Sequence, residues 1–155
     1  TAANLLLDSF GGPPALTAWL RSMGDQVTRL DRREPDLNEN RAGDPQDTTT
    51  PMAMLQSLRT LILGDVLSGA SRDQLIAWLV SNTTGDKKLR AGLPTGWRVG
   101  DKTGSGANNA SNDVAVIWPP NRPPLLVTVY YTGATASGDQ INTLMADAGR
   151  LVAQV

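Results

Sequence analysis

The hydrophobic pattern of this chain changes period along its length, and that change constrains the fold more than any other feature. Before Asn82 apolar residues recur at helical intervals. Leu16, Trp19, Leu20 and Met23 fall at i, i+3, i+4 and i+7, Met54, Leu55, Leu58 and Ile62 mark a second stripe, and Leu75, Ile76 and Leu79 a third. Such spacing places each set on one face of a helix and predicts that the face is buried. After Pro94 the pattern breaks into short β-favouring runs over 97–103, 113–118 and 125–131, divided by turns rich in Gly, Asn and Pro. These predict an antiparallel meander. Ile141, Leu144, Met145, Ala148, Leu151 and Val152 then return to helical spacing and predict a closing helix on one face of the sheet. Helices, then strands, then a helix give an α+β class, helices packed on an antiparallel β-sheet. No internal repeat or linker divides residues 1–155, which read as one domain.

Local signals place the element ends. Residues 1–8 are rich in alanine and leucine and run into Gly11-Gly12, which predicts a helix truncated at its start, with Thr1 not a native terminus. Pro13-Pro14 opens a second helix that Gly24 closes. Thr50-Pro51 supplies a cap and a first-turn proline for the third. Ser71 with Gln74 predicts a capping box for a fourth helix ending near Asn82, and Ser137 with Gln140 does the same for the last. Between about 29 and 50 the chain is polar and without period, a length of loop that inside one domain is usually functional.

Composition narrows the chemistry. The sequence has no cysteine and no histidine, which removes disulfides, thiolate metal sites, a Cys nucleophile and a Ser-His-Asp triad and makes a zinc site improbable. Acid-base work falls to carboxylates, lysines and hydroxyls. A net charge of -1 with scattered Lys and Arg argues against nucleic acid. No apolar run approaches the length of a membrane span, and no signal peptide precedes Thr1. Trp19, Trp78, Trp97 and Trp118 lie in apolar patterns and predict core packing rather than a stacking platform.

Two short motifs carry the candidate chemistry. In the polar loop Glu34 precedes Pro35, the one kind of peptide bond that is cis at modest cost, and Asn38 follows four residues later. A carboxylate and an amide around one water suffice for general-base activation. A lone Glu in a loop is by default a solvated charge; here Arg32 and Asp47 are placed to staple the loop ends as an ion pair. Lys102-Thr103-Gly104 falls on the first predicted strand, with Ser105 and Gly106 after it. Lys102 would put positive charge beside an anionic substrate, Thr103 and Ser105 would offer hydroxyls to its carboxylate, Gly104 would let it approach the backbone, and the Ser105 N–H would donate to an oxyanion. A Lys-Thr-Gly match alone is weak, since a strand edge with a solvated lysine produces it as well.

Taken together, Arg32-Arg33-Glu34-Pro35-Asp36-Leu37-Asn38 and Lys102-Thr103-Gly104-Ser105-Gly106 resemble the water-activating loop and the substrate-facing strand of class A serine β-lactamases. The similarity continues in the family's order through residues 1–6, 30–38, 43–51, 82–85, 101–106 and 112–119. The family's S-x-x-K and S-D-N motifs are absent, so the chain resembles the C-terminal part of that catalytic domain, beginning just after S-D-N. The resemblance implies hydrolysis of β-lactams through a serine acyl-enzyme, with no metal or organic cofactor. It makes Glu34 the base for the deacylating water, Asn38 its helper, Arg32 and Asp47 the pair that fixes the omega loop, and Lys102, Thr103, Gly104 and Ser105 the pocket lining. Nucleophile, lysine and S-D-N side chains would come from a segment preceding Thr1, as a second polypeptide or an absent stretch, and this chain alone would be inactive. Export to the periplasm or cell surface is implied as well.

Two departures stand out. Relatives often place an arginine behind the Lys-Thr-Gly strand, where this chain aligns Lys88, Ser111 and Asn142. Lys88 either serves the substrate carboxylate, without arginine's planar fork, or is a solvated lysine beside Lys87. Residues 107–111 are small and polar and predict an open rim. Asp113 reads as a turn residue. Two rival functions remain: a penicillin-binding D-alanyl-D-alanine peptidase, against which Glu34 and Asn38 argue, and a non-catalytic fragment that acts as a complementation partner. By itself the chain is expected to fold poorly, with Leu5, Leu6 and Leu7 exposed.

Overall fold

The computed structural model describes residues 2–155. Five helices, α1 (Ala2–Ser9), α2 (Gly12–Ser22), α3 (Pro51–Leu63), α4 (Gly69–Val80) and α5 (Gly138–Val152), accompany three strands, β1 (Arg98–Ser105), β2 (Ser111–Trp118) and β3 (Leu125–Tyr131). The strands form one antiparallel sheet in the order β1-β2-β3. The α+β class and the meander are as the sequence predicts; Thr1, the expected first residue of α1, lies outside the described residues.

The core is built on β2, whose alternation feeds two clusters. Val116 points to one face, where Leu58 and Ile62 of α3 and Leu79 of α4 surround it. Ala115 and Ile117 point to the other, against Leu89, Val99 and the α5 residues Ala148 and Val152. Period-two alternation in a strand covered on both sides makes both sets apolar. Each fully buried aliphatic side chain contributes about 1.5–3 kcal/mol, so β2 anchors the domain.

Most caps match the sequence. Thr50 accepts from the Ala53 N–H at 3.1 Å, and Ser137 and Gln140 form the reciprocal box, at 3.3 and 2.8 Å. The fourth helix differs: Ser68, not Ser71, is its cap, accepting from the Ser71 N–H at 3.2 Å. Gly69-Ala70 favours no competing structure, so the helix extends back to the earlier hydroxyl.

The helix faces are where periodicity misleads. Trp19 and Trp78 stand 41% and 65% exposed, contrary to the expected core packing. On α5 the buried residues are Ile141, Met145, Ala146 and Gly149, while Leu144 and Leu151 face out. A Cβ on Gly149 would lie 2.3 Å from the Leu89 carbonyl oxygen, and one on Gly92 would lie 1.8 Å from that of Ala146. Helix α5 therefore meets the 3-10 turn Leu89–Gly92 backbone to backbone, a contact made by small residues that a hydrophobic stripe does not register. On α1, Leu7 is buried, whereas Leu5 and Leu6 are 74% and 68% exposed as expected.

Candidate active site

The polar loop is held at its neck by backbone and charge together. The Arg29 N–H donates to the Thr48 carbonyl at 3.0 Å, and the Thr28 and Thr49 hydroxyls meet at 2.7 Å. Asp47, at φ 56°, accepts the N–H groups of Asp31 and Arg32 on Oδ1 at 2.7 and 3.0 Å and the Arg32 Nε on Oδ2 at 2.5 Å. The expected pair forms, but not as a two-pronged fork. The other Arg32 nitrogens reach Glu39 at 2.8 Å and Asp44 at 3.5 Å, so one guanidinium gathers three carboxylates. Burial pushes the Asp47 carboxyl up, yet the two N–H groups and the guanidinium outweigh it and hold the group below its ordinary value.

Glu34 sits before a cis bond to Pro35, as the sequence suggests. The 3-10 turn Asp36–Asn38 brings Asn38 under it, and the Asn38 Nδ2 donates to Glu34 Oε2 at 2.5 Å and to the Pro35 carbonyl at 3.1 Å. Carboxylate and amide thus touch directly. The backbone of Glu34 is clamped by Asn4 of α1, which donates to its carbonyl at 2.9 Å and accepts its N–H at 3.0 Å.

Strand β1 presents the second motif. Lys102 is exposed, its Nζ turned back onto the Thr103 carbonyl, and the Thr103 hydroxyl meets that of Thr84 at 2.5 Å. Gly104 is open, a Cβ there finding nothing nearer than Asn112 Nδ2 at 3.7 Å. Beneath the motif Asp101 is fully buried, bonded to the Arg90 guanidinium and to Asn82 Nδ2 at 2.6 Å. Asn38, Gly104, Ser105 and Gly106 line one cavity of about 270 Å³ between the loop and the end of β1. Glu34, Lys102 and Thr103 do not line it.

Lys88 is not a solvated lysine. It is 7% exposed, and its Nζ donates to the Ser111 hydroxyl at 2.8 Å and lies 3.5 Å from the Asn112 carbonyl. Ser111 pairs with Ser105 across the strands, so the ammonium lies behind the end of β1. Burial pulls the Lys88 pKa down, against the nearby charge of Asp113. Asp113 is no turn residue either: it is fully buried, its Oδ2 accepts the Leu89 N–H at 3.2 Å, and Oδ1 has no hydrogen-bond partner among the described residues. Burial and the Asp101 charge push its carboxyl up to about 7, although the Leu89 N–H, Lys88 and Arg90 oppose them.

Residues 1–155 match the sequence model of the β-lactamase enzyme family. The chain belongs to that family. It is 50% identical over 152 residues to the β-lactamase CTX-M-25 of Escherichia coli, covering 98% of this chain and 52% of that protein. It is 53% identical to the β-lactamase AST-1 of Nocardia asteroides, covering 98% and 49%. Among solved structures, an ancestral class A β-lactamase superposes with a TM-score of 0.97 at 63% identity, over 99% of this chain and 59% of that one. The putative class A β-lactamase PenP from Rhodopseudomonas palustris gives the same TM-score and identity, over 99% and 59%. The chain spans about half the length of the curated relatives it matches, and corresponds to their latter part.

The structure adds residues that the sequence does not single out. Asn4 holds the Glu34 backbone, Glu39 and Asp44 share Arg32, and Arg90 with Asn82 neutralises the buried Asp101. Gly85 belongs with them, since a Cβ there would lie 1.9 Å from Asp101 Oδ2. An Asn or Asp partner 30 residues away leaves no periodic trace; a charged residue amid the apolar β2 run was the available signal for Asp113.

Proposed function

We propose that this chain supplies the deacylation loop and substrate strand of a class A serine β-lactamase, its site completed by a segment carrying S-x-x-K and S-D-N on the same or a separate polypeptide. The observation that carries the reading is the bonding of the Asn38 amide to the Glu34 carboxylate at 2.5 Å, on a loop whose Asn38 carbonyl accepts the Ala107 N–H at 2.9 Å just beyond Lys102–Gly106. The serine hydroxyl of the completing segment adds to the β-lactam carbonyl, the carbonyl C–N bond breaks, and the serine proton passes to the ring nitrogen, leaving an ester. Glu34 then removes a proton from a water that Asn38 orients, the water oxygen adds to the ester carbonyl, and the tetrahedral intermediate collapses with that proton returned to the serine oxygen, which leaves as the free hydroxyl. The Ser105 N–H donates to the oxyanion, Lys102 supplies positive charge, and Thr103 and Ser105 offer hydroxyls to the substrate carboxylate at Gly104. Lys88 acts on that carboxylate through Ser111, to which it is bonded. Arg32 and Asp47 keep the loop closed.

The exposed Leu5 and Leu6 of α1 and Phe10 just after it are the surface we assign to the completing segment. Secretion to the periplasm or cell surface belongs to this reading. No helix among the described residues is long and apolar enough to cross a membrane.

The test joins the S-x-x-K and S-D-N half of the AST-1 relative to residues 1–155 and follows hydrolysis of a chromogenic cephalosporin, with intact mass before and after penicillin. Hydrolysis is expected, and Glu34→Ala should retain the penicillin mass as a stalled acyl-enzyme. Unchanged turnover in Glu34→Ala would favour the peptidase rival, and a fusion that never gains the drug's mass would leave only the complementation reading.

A further inference from the structure

The turn at 107–109 is exposed but tied to its neighbours by asparagines. The Asn40 Nδ2 donates to the Ala107 carbonyl at 2.9 Å and to the Thr132 hydroxyl at 2.6 Å, and the Asn40 carbonyl accepts from Asn108 Nδ2 at 2.6 Å. Asn108 in turn accepts the Gly133 N–H at 2.8 Å. One short side chain thus joins three segments: the middle of the omega loop, the β1–β2 turn and the end of β3. Asn40 and Asn108 both lie in the left-handed region, at φ 45° and 54°. Asparagine tolerates that region, and its amide offers donors where the backbone runs out of partners. Aspartate would present carboxylate oxygens to the Ala107 carbonyl and lose both donor contacts.

The clasp acts on the reactive pair through one residue. The Ala107 N–H donates to the carbonyl of Asn38, and the side chain of Asn38 holds the Glu34 carboxylate. Ala107 is therefore gripped on its N–H by Asn38 and on its carbonyl by Asn40, two residues apart on the same loop. Ala107 follows Lys102 by five positions, so the grip sets the reach between base and substrate strand. We infer that Asn40 is a positioning residue for deacylation, clasping the omega loop to the β1–β2 turn so that the Glu34–Asn38 pair stays in register with Lys102–Ser105. This rests on the function proposed above.

Acylation is performed by the completing segment and the strand, whereas deacylation alone needs Glu34 in place, so loosening the clasp should separate the two steps. Asn40→Gly is the informative variant, because glycine keeps the left-handed backbone unstrained while deleting the amide. Asn40→Ala adds strain and serves as the comparison. In the fused enzyme, acylation and deacylation rates are measured with a penicillin by stopped flow and intact mass, and exchange of the Ala107 amide by NMR. For Asn40→Gly the expected result is deacylation slowed about tenfold, equivalent to about 1.4 kcal/mol, acylation changed less than twofold, acyl-enzyme accumulating, and Ala107 exchanging faster. Asn108→Gly should reproduce part of the same split. Equal loss in both steps, or unchanged rates, or an unchanged Ala107 amide, would overturn the inference. Glu34→Ala run alongside keeps the two readings apart: if it does not stall, the deacylation reading fails and takes this role of Asn40 with it. If it stalls while Asn40→Gly turns over normally, only the clasp is wrong.

Discussion

Asp113 carries the clearest pH signature at the scale of single residues. Its carboxyl ionises near 3.8 in an unfolded chain and at about 7 when folded. Between those values the folded state binds more protons, so stability falls as pH rises from about 4 to about 7, by on the order of 4 kcal/mol at most. Asp25 works in the opposite sense and in a different window. Burial raises it, but the Thr28, Val27 and Ser57 hydrogen bonds bring it to about 2, so its contribution is lost only as pH falls below 4. Asp113→Asn should therefore flatten the melting-temperature profile from pH 4.5 to 8; a slope as steep as the parent's would refute the assignment. Arg32 predicts a pH-independent loss near neutrality. Its removal takes the guanidinium from Asp47 Oδ2, on a side chain that is 3% exposed, and breaking such a pair costs about 3 kcal/mol. Urea unfolding of Arg32→Ala measures it, and the loop amides of 29–48 should lose protection first.

Among the elements, the contact of α5 with the turn Leu89–Gly92 is the least forgiving. Alanine in place of a helical glycine ordinarily gains about 1 kcal/mol, but at Gly149 the new Cβ would meet the Leu89 carbonyl at 2.3 Å. Backbone cannot step aside as a side-chain tip can, and overpacking costs about 1–3 kcal/mol, so the clash wins. Gly149→Ala should lower the midpoint of unfolding. It should also disturb Asp113, because the Leu89 N–H is the donor to that carboxyl. The helix ends tell the opposite story: Thr50 and Ser137 were legible because a cap is a local matter of one hydroxyl and one N–H. The shift from Ser71 to Ser68 shows that two serines three apart offer competing caps, between which helix length decides.

For the whole molecule, the exposed Leu5 and Leu6 on α1, Phe10 just after it and Trp78 on α4 leave apolar area that a stable monomer ordinarily covers. The 155 residues alone are expected to melt with low cooperativity, and fusion to the S-x-x-K half to sharpen and raise the transition. A sharp transition from the isolated chain, unchanged by fusion, would count against the completing segment.

The sequence by itself determined the α+β order, the strand positions, the caps of α3 and α5, and the residues of both motifs. These depend on neighbours within a turn or a strand, where period and side-chain chemistry leave a linear trace. Only the tertiary structure decided that α3 and α4 cover the sheet face opposite α5, that Lys88 and Asp113 are both buried, and that Asn40 joins loop, turn and β3. Each of those facts links residues far apart in sequence, or depends on the space that a missing Cβ leaves, and neither distance nor absence has a period to read.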